Sequence, residues 1–260
     1  MYLPTPPSHI SINISGYFFI EILYMNYLKS FTKLIHKKKA LLKCIFTTLL
    51  FQVLVTMLAF IGVYRSDRKN DGDNEKQPSK NERRLSWVML LSFLALAIGL
   101  IILMTSFNFT FNERVAMFTL FSVLQGLFLG MCLKFIDANI IFTALFSTFA
   151  IFLLMIMFGF GVVYFKQDLS WLGIFLFIIL LGVIITRIIN LFIPYTSGFN
   201  KALALGVILL FSIYIVYDTN VILFRYNAIN YQRDCILGAL DYYLDLLNIF
   251  VNINSYMVLE

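Results

Sequence analysis

The sequence predicts an all-α membrane protein, a polytopic bundle of seven transmembrane helices. Of its 260 residues, 60% are hydrophobic and only 13% are charged, and the mean hydropathy of +0.86 is far above that of a soluble domain. Apolar runs of about 20 residues, enough to cross a hydrocarbon core of roughly 30 Å, recur from residue 40 onward. Because these runs are continuous and do not alternate with polar residues, they predict helices and not the strands of a membrane barrel.

The apolar runs form one predicted membrane domain, residues 40–258. Its seven spans are 40–64, 85–107, 115–135, 139–165, 171–193, 202–224 and 236–258. Pro194 ends the fifth span, because proline cannot continue a helix. The seventh span is the most polar, so it could either cross the membrane or re-enter it.

Two hydrophilic segments flank the first span. Residues 1–39 end in the basic cluster KSFTKLIHKKK, and we expect an interfacial or disordered tail there. Residues 65–84, RSDRKNDGDNEKQPSKNERR, mix both charges with Gly and Pro, which predicts a charged flexible loop. The formal net charge is +6, but no groove-reading motif accompanies it. Membrane lipid is therefore the expected partner, and nucleic acid is not. The Lys and Arg counts on the two sides are too similar to predict an orientation.

Conventional catalytic and metal-binding patterns are missing from the sequence. Its three cysteines, Cys44, Cys132 and Cys235, are widely spaced and odd in number, so we expect buried small apolar residues and no disulfide framework. The sequence contains no Gly-rich phosphate loop, nucleophile elbow or zinc pattern. These observations predict a protein that is not an enzyme and that has no resident cofactor.

An aspartate deep in an apolar run is the first candidate for a functional residue. Asp218 lies in FSIYIVYDTN, residues 211–220, where a charged carboxylate costs about 2.5–3.5 kcal/mol on insertion scales. Such a residue usually faces the bundle interior and marks a pathway or relay. The last span carries candidate partners on one helical face, at i, i+4, i+7 and i+11: Asp241, Asp245, Asn248 and Asn252.

An antiparallel pairing of the last two spans would bring Asp218 close to Asp245. Two carboxylates in contact cannot both ionise easily, so we expect the pair to share a proton. The shared proton would bridge the two helices in acid, and its loss would leave two anions that separate or bind a cation. The sequence therefore predicts a pH-sensitive latch. The alternative is that these side chains only join helices by hydrogen bonds.

The segments FSIYIVYDTN and ALDYYLDLLNIF resemble the paired signature of the Bax-inhibitor family, the transmembrane Bax inhibitor motif proteins, and especially its lifeguard-like branch. FQVLVT at Phe51 is similar to the family's first span, and FSTFAIF at Phe146 with KQDLSWLG at Lys166 is similar to its fourth span and the following turn. The resemblance covers residues 40–258. It implies a seven-helix bundle, a calcium leak through internal membranes, suppression of cell death, and pH control by two aspartates, here Asp218 and Asp245.

The sequence departs from the family pattern at the third member of the latch. Bacterial relatives place an arginine near the end of the second span, where this chain has Asn108, so Arg114 is a candidate latch residue. Arg187, in the last two turns of its span, is expected to extend to the membrane interface, and an inward turn towards a carboxylate, which would make it a second candidate latch residue, is the alternative. Asp241 replaces a small or uncharged residue of the family pattern and could add a third carboxylate to the ion pathway. Three asparagines complete the candidate pathway: Asn220, Asn248 and Asn252.

A pH-sensitive calcium leak that suppresses cell death is the function that these features favour. Calcium prefers about six to eight oxygen ligands, and the carboxylates of Asp218 and Asp245 with amides and water form an incomplete shell. Incomplete coordination favours passage over storage, so calcium is expected as a transiently bound permeating ion.

Two other functions remain open. The chain could be a non-conducting scaffold that regulates apoptosis through membrane-protein partners. It could also be an intramembrane aspartyl protease, but the GxGD motif of those enzymes is missing, since Gly238 is followed by Ala, Leu and Asp241. The expected location is the endoplasmic reticulum or Golgi membrane for a eukaryotic chain and the plasma membrane for a bacterial one.

Overall fold

The computed structural model is helical in nearly all the residues that it describes, and no strand occurs in them. These residues are 14–70, 98–103, 107, 109–133, 135–193, 195–226 and 230–259, with side chains in the first helix from residue 28 to residue 65. The helices are α1 (Ile14–Asn70), α2 (98–103 in its described part), α3 (Phe111–Cys132), α4 (Ala138–Tyr164), α5 (Leu172–Phe192), α6 (Ser197–Phe224) and α7 (Tyr231–Val258). Six of these seven are long and apolar enough to cross a membrane. The predicted all-α membrane bundle is thereby confirmed.

Two predicted segments fall largely outside the described residues. The second predicted span, 85–107, is described only at residues 98–103, which are helical, and at residue 107. The predicted loop 65–84 begins inside α1, because residues 65–70 complete the last turns of that helix. Residues 71–84 lie outside the described residues.

α1 begins earlier than the first apolar run indicated. The sequence predicted an interfacial or disordered tail up to residue 39, whereas the structure continues α1 back to Ile14. Helical spacing of apolar side chains explains the difference, because Phe31, Leu34 and Ile35 all pack against the hydrophobic core. The end of the predicted tail is therefore part of the bundle.

α7 is the central helix of the bundle. It packs against α1, α3, α4 and α6, and about half of its residues are buried. It is one unbroken helix from Tyr231 to Val258, about 42 Å long at 1.5 Å per residue, which is enough to cross the membrane. In contrast, α5 packs mainly on α6 and leaves most of its apolar side chains exposed. α7 can be the most polar span because its neighbours are helices and not lipid.

Two glycines allow α1 and α3 to approach closely. A Cβ atom at Gly126 would lie 2.3 Å from the backbone oxygen of Thr56, and one at Gly130 would lie 2.8 Å from the Cβ of Val63. The glycines are four residues apart and therefore lie on one face of α3. Small residues at this spacing are typical of close contacts between membrane helices.

Polar caps determine where α3, α4 and α6 begin. The Thr110 hydroxyl accepts a hydrogen bond from the Glu113 amide (3.4 Å), while Glu113 Oε2 accepts one from the Thr110 amide (2.8 Å). Asp137 Oδ1 accepts a hydrogen bond of 2.7 Å from the Asn139 amide, and the Thr196 hydroxyl caps α6. These contacts satisfy amide groups that have no partner within the helix.

A disulfide joins Cys44 on α1 to Cys235 at the start of α7, with their Cα atoms 5.8 Å apart. The prediction that the cysteines form no disulfide was therefore wrong for this pair. The two residues are separated by 191 positions, so spacing along the chain carries no signal of their proximity. The third cysteine, Cys132, is free and exposed, which also differs from the predicted burial.

Candidate functional site

The candidate functional site consists of two carboxyl groups that α6 and α7 present to each other. Asp218 lies in the second half of α6, and Asp245 lies in the middle of α7. These helices pack closely together, and the two carboxyl groups are close enough to interact directly with each other. A hydrogen bond between two carboxyl groups requires that one of them keeps its proton. The structure thus places side by side the two residues that the sequence had paired.

Among the described residues, the pair is surrounded by hydroxyl groups, and no positively charged side chain acts on it. Asp245 is 3% exposed, and its Oδ2 receives no hydrogen bond from a conventional donor among the described residues. The Tyr214 and Tyr242 side chains interact electrostatically with both carboxyl groups, whereas no described lysine or arginine does. Two ionised carboxylates are very unfavourable in such a setting. A proton shared between the carboxyl groups, or a cation bound beside them, is therefore needed to avoid two facing negative charges.

A third carboxyl group, that of Asp241, lies one turn before Asp245 on α7. Its Oδ2 accepts a hydrogen bond of 3.0 Å from the hydroxyl of Tyr226 in the α6–α7 connection. Burial and the neighbouring Asp241 carboxylate raise the pKa of Tyr226 above its ordinary value, so the phenol retains the proton that it donates. Lys38 of α1 donates to the backbone oxygen of Tyr226. Asp241 therefore faces the end of the site that lies next to the α6–α7 connection. Its carboxyl group interacts electrostatically with that of Asp218.

The polar stripe of α7 continues beyond the carboxyl groups through two asparagines. Asn248 donates a hydrogen bond of 2.8 Å to the Leu244 oxygen, and Asn252 donates one of 2.8 Å to the Asn248 oxygen. Arg187 of α5 donates to Asn252 Oδ1 at 2.6 Å. The candidate latch residue Arg187 is thus turned inward, but it binds an amide two turns beyond Asp245 and not a carboxylate. Its positive charge lies at this end of the stripe.

Asn220 binds the connection between α4 and α5. Its Nδ2 donates a hydrogen bond of 2.7 Å to the Gln167 oxygen, and its Oδ1 accepts one of 3.0 Å from the Leu169 amide. The side chain is fully buried, and both of its polar atoms are engaged. It holds the loop in which Lys166 adopts a left-handed φ of 56°. The sequence included Asn220 in the ion pathway, but these contacts indicate a structural role.

Replacing Asn220 with alanine is expected to lower the free energy of unfolding by about 1–3 kcal/mol, because two backbone groups of the loop lose their partner. Asn248→Ala is the matched control, since Asn248 is half-buried and its described hydrogen bond lies within its own helix. Denaturant unfolding in detergent, followed by circular dichroism, measures both variants. Equal losses would contradict the structural role of Asn220.

Arg114 binds the connection between α2 and α3. Its Nη2 donates a hydrogen bond of 2.7 Å to the Phe107 oxygen, and its Nε donates one of 3.2 Å to the Phe109 oxygen. The positive charge of Arg233, at the start of α7, acts on Arg114. None of these contacts joins the candidate latch residue Arg114 to an aspartate. Asn108, at the position of the family's arginine, lies outside the described residues.

Three residues beside the carboxyl pair were not identified from the sequence. The hydroxyl groups of Tyr242 and Thr219 share a hydrogen bond of 2.8 Å, and a Cβ atom at Gly159 on α4 would lie 2.6 Å from the Cβ of Thr219. These contacts lock α4, α6 and α7 together next to Asp218. The sequence did contain a signal for Tyr242. Its hydroxyl group lies on a buried helix but outside the polar stripe, so it needs a hydrogen-bond partner on another helix.

The carboxyl groups do not form a closed metal site. Among the described residues, no three His, Cys, Asp or Glu side chains are arranged to hold a metal ion. The predicted transient calcium site thus contains two carboxyl groups in contact, Asp218 and Asp245, with Asp241 nearby. Any ion held there would need water to complete its coordination.

The carboxyl pair lies within a family match that covers most of the chain. The family described as Inhibitor of apoptosis-promoting Bax1 matches residues 38–259, from within α1 to the end of α7. The chain belongs to the Bax inhibitor family. The six apolar helices among the described residues, together with this membership, show that it is a multi-pass membrane protein.

Similar proteins come from yeast and from bacteria. Bax inhibitor 1 of Schizosaccharomyces pombe is 34% identical over 170 residues, which cover 64% of this chain and 60% of the yeast protein. An uncharacterized protein of Helicobacter pylori is 31% identical over 168 residues, or 64% of this chain and 69% of its own length. An uncharacterized membrane protein of Streptococcus pyogenes is 31% identical over 139 residues, or 52% and 59%. This Bax inhibitor family member therefore spans less than two thirds of the yeast relative.

Proposed function

We propose that this member of the Bax inhibitor family is a pH-sensitive, calcium-permeable leak channel with a cell-death-suppressing role. The observation that carries the proposal is the contact between the Asp218 and Asp245 carboxyl groups inside the bundle. The family description and the name of the yeast relative support the anti-apoptotic role. The proposed location is the endoplasmic reticulum or Golgi membrane in a eukaryote and the plasma membrane in a bacterium.

One proton controls the proposed leak. In acid, the proton shared by Asp218 and Asp245 bridges α6 and α7 and removes the attraction for cations. When that proton is lost, two anions face each other in a medium of low dielectric constant, and their repulsion is relieved by separation or by a bound cation. Calcium finds only part of its usual six to eight or so oxygen ligands there, so it binds weakly enough to leave again.

The polar stripe of α7 is the proposed ion path. It runs from Asp241, beside the α6–α7 connection, past the carboxyl pair to Asn252. Arg187 bound to Asn252 opposes cation passage at that end by its positive charge, so this arrangement corresponds to a closed channel. Opening would require Arg187 to leave Asn252. In this proposal Arg187 is the latch.

A non-conducting scaffold is the second candidate function. It is supported by the hydrogen bonds that Asn248 and Asn252 make to backbone oxygens of their own helix. Side chains that are bonded in this way can stabilise helix packing without binding an ion. A scaffold would regulate apoptosis through partner membrane proteins. Neither candidate function assigns an enzymatic step to the aspartates.

Calcium flux into vesicles separates these possibilities. The purified chain is reconstituted in phosphatidylcholine vesicles that contain a calcium-sensitive dye, and external calcium is added over roughly pH 5 to pH 8. We expect calcium entry above that of protein-free vesicles, with a rate that rises with pH as the shared proton is lost. A rate of calcium entry no higher than that of protein-free vesicles at every pH would reject the channel and favour the scaffold. Cleavage of an added membrane-spanning peptide would instead indicate a protease.

A further inference from the structure

A cavity of about 820 Å³ lies between α1 and α4, and α7 forms its floor. Its walls are mainly aliphatic and aromatic, with Phe60 of α1, Leu145 of α4 and Phe250 of α7 among them. α1 and α4 barely touch each other, which leaves the cavity open as a groove between them. We infer that this groove binds one anionic phospholipid, with an acyl chain between the two helices and the phosphate at Arg65.

The length of the groove matches one leaflet of a bilayer. It extends from Val53 to Arg65 along α1, which is roughly 18 Å at 1.5 Å per residue. Along α4 it extends from Ala138 to Phe149, which is roughly 16 Å on the same measure. Half of a hydrocarbon core is about 15 Å thick. An acyl chain that starts at the membrane surface would therefore lie in the groove over most of its length.

The hydroxyl groups in the groove wall are already satisfied by the protein. Thr56 donates to the Gln52 oxygen (2.9 Å) and shares a hydrogen bond of 2.6 Å with the Tyr243 hydroxyl. Thr148 donates to the Ala144 oxygen at 2.7 Å. A polar ligand would have to break these bonds, whereas a hydrocarbon chain would leave them intact. The chemistry of the groove therefore favours an acyl chain.

A permanent positive charge lies at the mouth of the groove. Arg65 directly follows the apolar run 40–64, its side chain is exposed, and no carboxylate of the described residues pairs with it. A guanidinium group binds phosphate in two-pronged geometry. The amino terminus of α4 also opens at the mouth and adds positive potential, although the Asp137 cap already occupies one amide there. Charge complementarity thus favours an anionic headgroup over a zwitterionic one.

Native mass spectrometry of the detergent-purified full chain tests this inference. Phosphatidylglycerol and phosphatidylcholine with identical acyl chains are added in turn, and bound lipid is counted. We expect one retained phosphatidylglycerol per chain in the wild type. Leu145→Trp fills the groove and should weaken retention by about tenfold or more. Leu153→Trp is the matched control, because Leu153 is on the same helix, 60% exposed and outside the groove, and it should retain lipid normally.

The exposed mouth provides a second test that does not disturb the bundle. Arg65→Gln should remove the preference for phosphatidylglycerol over phosphatidylcholine, whereas Arg225→Gln, at an exposed arginine after α6, should preserve it. Equal lipid retention by Leu145→Trp and Leu153→Trp would overturn the proposal, as would an unchanged preference in Arg65→Gln. Displacement of the phospholipid by equimolar palmitate, or a dimer that Leu145→Trp dissociates, would also overturn it.

Discussion

Replacing Asp245 with asparagine is expected to abolish the pH-dependent step of calcium flux in reconstituted vesicles. The amide resembles a protonated carboxyl group and can donate a hydrogen bond to Asp218 at every pH, so α6 and α7 stay bridged in alkaline solution. A step controlled by one proton changes the ratio of two states about tenfold per pH unit. The wild-type rate should therefore rise about tenfold or more across the titration, while the variant should keep the low rate of the acid state. Asp218→Asn should behave in the same way.

Two other aspartates on α7 test whether the effect is specific to the carboxyl pair. Asp234→Asn removes one carboxylate from the first turn of α7, outside the carboxyl pair, and should leave the titration unchanged. Asp241→Asn should shift the midpoint of the step without removing it, because its charge acts on Asp218 across a short distance. A full pH step in both Asp218→Asn and Asp245→Asn would reject proton sharing between these residues.

Leucine at Gly126 is expected to prevent the native packing of α1 against α3 and to cost more than the roughly 1–3 kcal/mol typical of an overpacked core. A Cβ atom there would lie 2.3 Å from the backbone oxygen of Thr56 and 2.7 Å from the Cβ of Ala59. Neither atom can rotate away, so one helix would have to move. Alanine alone should already destabilise the fold, because this overlap outweighs the roughly 1 kcal/mol that alanine gains over glycine within a helix.

Gly182 is the matched control for the glycine prediction. It lies in the middle of α5 with nothing within 4 Å of an added Cβ atom, so Gly182→Ala should be neutral or stabilising and Gly182→Leu should be tolerated. Size-exclusion profiles and unfolding in sodium dodecyl sulfate, followed by circular dichroism, compare the four variants. The steric account fails if Gly126→Leu yields as much monodisperse protein of the same stability as Gly182→Leu.

The parts of the site that the sequence predicted depend on periodicity. The spacing of the polar residues on α7 is a local property, because 3.6 residues per turn place them on one face whatever surrounds the helix. The cost of a carboxylate in lipid likewise indicates that Asp218 faces the interior of a bundle. Together with an assumed antiparallel pairing of the last two spans, these two local facts paired Asp218 with Asp245 before any contact was known.

The partners of the other polar residues could not be predicted in this way. Asn220 and Arg114 bind backbone oxygens of connecting segments, and the positions of such oxygens depend on how whole helices are arranged. Arg187 reaches Asn252 on α7 although α5 packs mainly on α6. Long polar side chains can reach many groups, so their identity does not specify which one they bind.

The sequence by itself determined the helical type of the membrane spans, the polar face of α7 and the inward-facing position of Asp218, since each follows from hydropathy or helical period. Only the tertiary structure decided that α7 is central, that α1 reaches back far enough to pack beside the α6–α7 connection, and that Cys44 bonds to Cys235. These features join residues far apart in the chain. Their proximity results from the packing of complete helices against one another, and no local pattern of residues specifies it.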